Sequence, residues 1–430
     1  MTVSEEKKRD IYRLGQQIPV LSDREIARRL KISRDSVARY RGNIPTEGVS
    51  DAMESLLSPS THLADAKAID RLKLENGRLR AMNRLLTRNG SVTVEGIVEQ
   101  FREELTSEPY QRFQFSPKYY PNTKTVSSVF DPGHEEVATL VLSDWHIGEV
   151  VRSEETNGVN RFNSLIAANR LWRVIDKFKK LVRGHQQMYR FKSVWIPVLG
   201  DMLNGSIHPE FILTNDLLDV PSAILAARLL IMAIHEIKTL GLPIELDCIV
   251  GNHPRLLAQM PAKRQAHLSL DLVVYEVVAQ AFAGDEQVKV NIHYSQFGIV
   301  EKEGHRFVLE HGYHAKPDTL PERIRKMFDN PLYREATSYE GSSVDCVVIG
   351  DKHRAEVGDQ YIVNGSLVGQ GEYGVSLRLD PIRAVQQFFG VSKSHTRTFH
   401  YELDATGYCS EDTDNPMSAY TFEYMRQHGR

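Results

Sequence analysis

Three cysteines among 430 residues are too few for a disulfide framework, and Cys248 and Cys346 lie inside apolar runs that read as buried strands. Reduced thiols suit a reducing compartment, so a cytoplasmic protein is expected. No stretch approaches the roughly 18 consecutive apolar residues of a membrane span. The first thirty residues are polar and charged, unlike a signal peptide. No membrane partner is therefore expected. Internal repeats, long low-complexity tracts and nucleotide-binding motifs are not evident either. What remains has the composition of a globular protein, 41% hydrophobic and 25% charged, at a length that predicts a large domain with smaller attachments.

Charge is unevenly spread. Residues 1–43 carry eleven Lys/Arg against six Asp/Glu, a net of +5, whereas the whole chain sums to −3, which leaves −8 for the rest. A basic head on an acidic body points to an anionic partner for the head.

Within that head, Leu21 to Gly42 reads as two short helices around a tight turn. Ile26, Ala27 and Leu30 face inward from the first helix, Val37 and Tyr40 from the second, with Ile32 in the turn. Ser22 and Ser33 are suitable N-caps. The spacing resembles the helix-turn-helix of bacterial DNA-binding proteins, departing from it at Lys31, where a glycine is usual. That resemblance implies a recognition helix from Ser33 to Arg41 presenting Arg34, Asp35, Ser36, Arg39 and Arg41 to DNA. A small helical hairpin used only for packing or protein contact would share the pattern; the local basic charge favours nucleic acid.

A linker at 46–61 holds Pro45 at its edge and Gly48, Ser50 and Pro59 within it. From 62 to 90, Ile69, Leu72, Asn76, Leu79, Asn83 and Leu86 alternate between a and d positions of a heptad. Asparagine at a favours a two-stranded pairing, so a homodimer through this helix is expected. One helix packing on its own domain is the alternative for so short a run. Residues 91–135 form a connector with a helical stretch near Val94–Leu105 and an aromatic, Pro-containing remainder.

From Val137 the pattern changes to short apolar runs separated by helical stretches at Ser164–Arg183, Val220–Leu240 and Ser269–Ala283. VATLVLSD, VWIPVLGD, IELDCIVGN, FVLEHG and VDCVVIGD suit strands buried on both faces, and the alternation predicts an α/β domain. Each run ends in a metal-ligating residue: Asp144 then His146, Asp201, Asn252 then His253, His311, and Asp351 then His353. Carboxyl ends of strands line the ligand crevice of an α/β sheet, so five strands are expected to deliver these side chains to one edge. A carboxylate and an imidazole two residues apart share a face of a strand and suit one metal.

The blocks DWH, GD, GNH, HG and GDKH, in that order, resemble the five signature blocks of the calcineurin-like metallophosphoesterases, a superfamily that includes the SbcD-type DNA-repair nucleases. The resemblance spans about residues 137–370 and implies a layered β-sandwich flanked by helices. It implies that Asp144, His146, Asp201 and His353 hold a first divalent metal ion. Asp201 would bridge to a second ion completed by Asn252, His311 and Asp351, with His253 beside the phosphate as a catalytic group.

Three departures stand out: Asn204 and Pro254, where acidic residues are common, and Asp351, where a histidine is usual. An aspartate at 351 favours hard ions such as Mn²⁺ or Mg²⁺. Arg255, His314 and His208 are candidate substrate contacts, with His208 equally readable as a loop residue, His314 as a solvated side chain and Arg255 as a structural ion-pair partner. The expected domains are thus 1–45 helix-turn-helix, 46–61 linker, 62–90 coiled coil, 91–135 connector, 136–400 phosphoesterase and 401–430 tail. A two-metal phosphoesterase is expected, cutting DNA as an endo- or exonuclease. The alternatives are a phosphomonoesterase or cyclic-nucleotide phosphodiesterase, or a DNA-binding regulator with an inactive phosphoesterase domain.

Overall fold

The computed structural model describes residues 135–187, 190–261, 263–313, 344–376, 378, 380–407 and 409–430. The expected helix-turn-helix with Arg34, Ser36, Arg39 and Arg41, the linker, the heptad helix, nearly all of the connector, and His314 lie outside the described residues.

Strand β1 (Glu135–Leu140) is followed by α1 (Ser164–His185), β2 (Arg190–Val198), the short α2 (Pro209–Thr214), α3 (Asp219–Lys238), β3 (Ile244–Cys248), α4 (Leu270–Ala281) and β4 (Val288–Ile292). β1 to β4 pair in parallel through crossover helices, as apolar strands buried on both faces should. β5 (Phe297–Lys302), β6 (His305–Glu310), β7 (Cys346–Ile349), β8 (Glu356–Val357) and β9 (Tyr361–Val363) build a second sheet, in which β6, β7 and β9 are parallel. After α5 (Glu372–Ser376), β10 (Val385–Ser392) runs antiparallel to β1, and β11 (His400–Asp404) to β10; α6 (Pro416–His428) ends the described chain. The sheets have the strand orders β11-β10-β1-β2-β3-β4 and β5-β6-β7-β9-β8.

The α/β class and the sandwich match expectation, but the five donor-bearing strands belong to two sheets. β1, β2 and β3 lie in the six-stranded sheet, and β6 and β7 in the five-stranded one. An apolar run buried on both faces looks the same in either, since its periodicity does not name a pairing partner. Val137, Trp195, Phe307, Val348 and Phe389 fill the space between the sheets, with the rings of Trp195 and Phe307 5.0 Å apart. On the opposite face of the larger sheet, Ala138, Leu140, Ile196 and Leu246 meet α1, α3 and α4. Asn163 and Ser269 start α1 and α4 by accepting the backbone N–H of Ile166 and Asp271.

Two further expectations change. The boundary at 400 cuts β11, and residues 401–430 supply an edge strand and a helix whose Met417 and Tyr424 join the core, so they are no tail. Polar residues between these apolar contacts hid the segment from a search for apolar runs. α3 is long and apolar enough to cross a membrane, which a search for unbroken runs missed because Arg228 and His235 interrupt it. Most of it is buried in the core of the domain.

Candidate metal centre

Asp144, His146, Asp201, Asp351 and His353 all adopt left-handed backbone conformations, with φ of 54°, 47°, 53°, 64° and 56°. Such residues cost about 1–3 kcal/mol each and persist where the surroundings over-determine them; Asp and His tolerate the region better than most. Asp144 and His146 therefore do not share a strand face, as their spacing suggested. A turn beyond β1 aims each of them separately.

The turns also need glycine where two of them touch. A Cβ on Gly251 would lie 2.0 Å from Asp201 Oδ1, and one on Gly200 would lie 2.1 Å from Gly251 N. The glycines of GD and GNH thus let the ends of β2 and β3 close on one another.

All seven sequence-predicted ligands meet. His353 Nε2 is 3.5 Å from Asp144 Oδ1, and His146 Nε2 is 3.8 Å from Asp201 Oδ2. His311 Nε2 lies 3.1 Å from Asp201 Oδ2, 2.8 Å from Asn252 Oδ1 and 3.5 Å from Asp351 Oδ1. Donor atoms within 4.8 Å of one another form the sets Asp144–His146–His353, Asp144–Asp201–His311 and His146–Asp201–His253. Asp144, His146 and Asp201 each belong to two of these sets, and Asp201 Oδ2 lies 3.8 Å from His146 Nε2 and 3.1 Å from His311 Nε2, which suits a bridging carboxylate.

Tautomers follow from partners that can only accept. His311 Nδ1 is 2.6 Å from the Leu199 carbonyl and so carries the hydrogen. His253 Nδ1 lies 3.1 Å from the Asn204 carbonyl in the same way. His146 Nδ1 is 3.1 Å from Asn204 Oδ1, an atom whose identity is set by the Asn204 Nδ2 bond to Asn215. The Nε2 lone pair of His311 therefore points at carboxylate and amide oxygens, acceptor against acceptor, and that of His146 points at His353 Nε2, 2.9 Å away. A cation or a proton between these atoms reconciles the acceptors around His311, and outer hydrogen bonds of this kind are what orient metal-bound histidines.

Charge agrees. Burial, with Asp201 and Asp351 adding to it, pushes the Asp144 carboxyl well above the ordinary range. Burial would raise Asp201 too, but the imidazoles of His311, His253 and His146 outweigh it and hold that carboxyl low. Burial holds His146 neutral and pulls His353 down to about 4. At His311 burial is overcome by Asp201, Asp144 and Asp351, which favour positive charge at the ring. The donor set of oxygens and imidazoles fits hard or borderline divalent ions, so the residues present suit two such cations.

Behind the ligands stand groups the sequence reading passed over. Asp271, at the start of α4, accepts the backbone N–H groups of Asp201, Met202 and Gly251, tying two ligand turns together. Ser143 donates to Asp144 Oδ2 and accepts from Asn364 Nδ2. Asn204 was visible as a departure from the acidic pattern, and its amide anchors His146. An aspartate one helix removed from the ligands carried no comparable signal.

The candidate substrate contacts fare differently. Arg255 donates from Nε, Nη1 and Nη2 to the carbonyls of Leu257, Asn252 and Ala258, so its guanidinium braces the loop that carries Asn252 and His253. No carboxylate pairs with it among the described residues. His208 is exposed ahead of α2, edge-on to Phe211, whose ring lies along that of His253 at 5.7 Å.

No family profile and no curated protein matches the chain. Among solved structures, an archaeal phosphodiesterase is similar at 12% identity over 62% of this chain and 99% of that one, with a TM-score of 0.27. A dimetal phosphatase from Danio rerio shares 11% identity over 64% and 100%, with a TM-score of 0.28. Vps29 from Chaetomium thermophilum shares 12% over 63% and 97%, with a TM-score of 0.22. Likeness at these levels carries no argument about activity, and the reading of the site rests on its own geometry.

Proposed function

We propose that this chain is a metal-dependent phosphoesterase that hydrolyses phosphodiester bonds in DNA. The observation that carries the chemistry is the convergence of seven oxygen and imidazole donors from the ends of five strands in two sheets: Asp144, His146, Asp201, His311 and His353 in overlapping clusters, with Asn252 and Asp351 joined to them through His311 Nε2. Asp144, His146, Asp201 and His353 would hold one divalent ion; Asp201, Asn252, His311 and Asp351 would hold the other. Bound divalent ions supply Lewis-acid polarisation of a phosphoryl oxygen and a more acidic water.

The protein's own groups do the rest. Asp271 and Arg255 keep the ligand turns in register. His253, whose Nδ1–H donates to the Asn204 carbonyl and whose burial favours the neutral ring, would take a proton from water at Nε2 and pass it to the departing oxygen. Its ring nitrogen within 4.8 Å of donors on His146 and Asp201 keeps it close enough for that task.

DNA as substrate is supported by the net charge of +5 on residues 1–43 and their resemblance to a helix-turn-helix. Mn²⁺ is the ion of choice, because Asp351 adds a hard carboxylate donor. The test combines metal analysis with Mn²⁺-dependent turnover of supercoiled, linear and single-stranded DNA, beside a small phosphodiester and a phosphomonoester. DNA cleavage that drops on the order of 10³-fold in Asp201→Ala is expected. Rapid small-ester turnover with inert DNA sinks the nuclease reading, and absence of bound metal sinks the enzyme.

A further inference from the structure

Lys352 sits between two expected ligands, Asp351 and His353, in the same turn beyond β7. Its side chain is only 9% exposed, and Nζ lies 2.5 Å from Asp351 Oδ2. A lysine in a short polar turn ordinarily extends into water, and burial of its ammonium is tolerated only when paired. This one folds inward instead. Asp351 consequently divides its oxygens, with Oδ1 towards His311 at 3.5 Å and Oδ2 towards the ammonium. An ammonium has three N–H donors, and Asp351 is its one hydrogen-bonding acceptor among the described residues. Donors are left over beside a proposed phosphoryl site.

We propose that Lys352 is the substrate-anion residue of this centre: its ammonium offsets the charge of Asp351 and donates to a non-bridging phosphoryl oxygen. This rests on the metal-dependent reading above. The reason is electrostatic. Asp144, Asp201 and Asp351 gather three carboxylates where an anionic phosphodiester must approach, and a fixed ammonium in a water-poor site attracts it more strongly than any mobile counterion. A charge-assisted N–H···O⁻ bond adds geometry to attraction.

The two halves of the proposal predict opposite signs for one substitution, which separates it from a structural ion pair. The full chain is stripped of metal and titrated with Mn²⁺ by calorimetry; the Mn²⁺-loaded protein is then titrated with inorganic phosphate. In Lys352→Met and Lys352→Gln, loss of a like charge beside the ion should tighten the weaker Mn²⁺ site, by about two- to tenfold. Phosphate affinity should fall roughly tenfold or more in the same variants. Lys352→Arg, which keeps the charge, should stay near the parent on both axes.

Unchanged phosphate affinity in the two neutral variants overturns the proposal. So does a parallel fall in Mn²⁺ affinity, phosphate affinity and melting temperature, the mark of a pair that only holds the turn. If the Met variant does not fold, the Gln and Arg variants carry the comparison. A parent protein that binds no Mn²⁺ overturns the metal reading itself, and this inference with it, whereas normal Mn²⁺ binding with an indifferent Lys352 overturns this inference alone.

Discussion

The Nε2 atoms of His146 and His353 stand 2.9 Å apart, although the two residues follow strands of different sheets. His146 keeps its hydrogen on Nδ1, burial keeps both rings neutral, and Asp144 Oδ1 lies within 4.0 Å of each Nε2. A cation placed among these atoms would join the six-stranded sheet to the five-stranded one. Mn²⁺ should therefore stabilise the fold as well as enable turnover. At a hundred times its dissociation constant, one bound ion contributes about 2.7 kcal/mol. Scanning calorimetry should show the melting temperature rising with Mn²⁺ and falling with a chelator; indifference to both would mean that no ion links the sheets.

Asn204 touches no expected metal position, yet its Oδ1 fixes the tautomer of His146 and its carbonyl that of His253. Asn204→Ala should weaken Mn²⁺ binding by about 10–100-fold, the usual cost of losing such an outer hydrogen bond. The backbone bond to His253 survives the substitution, so His253 serves as an internal control. Equal Mn²⁺ affinity in variant and parent would show that the histidine orients itself without this amide.

Asp216 gives a pH test away from the ligands. Burial raises its carboxyl from 3.8 to about 6, only partly opposed by hydrogen bonds from the Ser164 N–H and hydroxyl. The folded state thus holds this proton longer than the unfolded chain does. The associated stability is present below about pH 4 and is lost as pH rises through 6. Asp216→Asn removes that dependence while its amide still accepts from the Ser164 N–H. Between pH 4 and 7, parent stability should decline relative to the variant by up to about 3 kcal/mol, read from urea midpoints at each pH. Parallel curves would contradict the burial argument.

For the N-terminal head, Arg39→Ala should weaken DNA binding and flatten its salt dependence by about one unit of log–log slope if the contact is to phosphate. Fluorescence anisotropy on duplex DNA at several salt concentrations measures this. An identical slope would remove Arg39 from the interface.

Much of the candidate centre was legible in the sequence. An apolar run tells of a strand buried on both faces, and the polar donors that follow mark the strand's mouth, so the seven expected ligands could be named from VLSDWH, VLGD, VGNH, LEHG and VIGDKH. Arg255 shows where such reading stops. Its neighbourhood to His253 suggested a phosphate contact, but a guanidinium takes whichever carbonyls its loop presents, and that loop curls back on it. The loop's curvature is not a periodicity and leaves no local trace.

The sequence by itself determined the α/β class, the order of the donor-bearing strands and the identity of the donors, because burial and ligand chemistry are properties of residue type and local spacing. Tertiary structure alone decided that the donors come from two sheets, that left-handed turns aim them, which imidazole nitrogen carries the hydrogen, and that Lys352 turns inward to Asp351. Each of those depends on which distant backbone lies alongside, as with Asp144 and Asp351, which are 207 residues apart and joined by a bond of 3.0 Å. Hydrogen bonds and close packing select such partners by shape in three dimensions, and no local pattern encodes that choice.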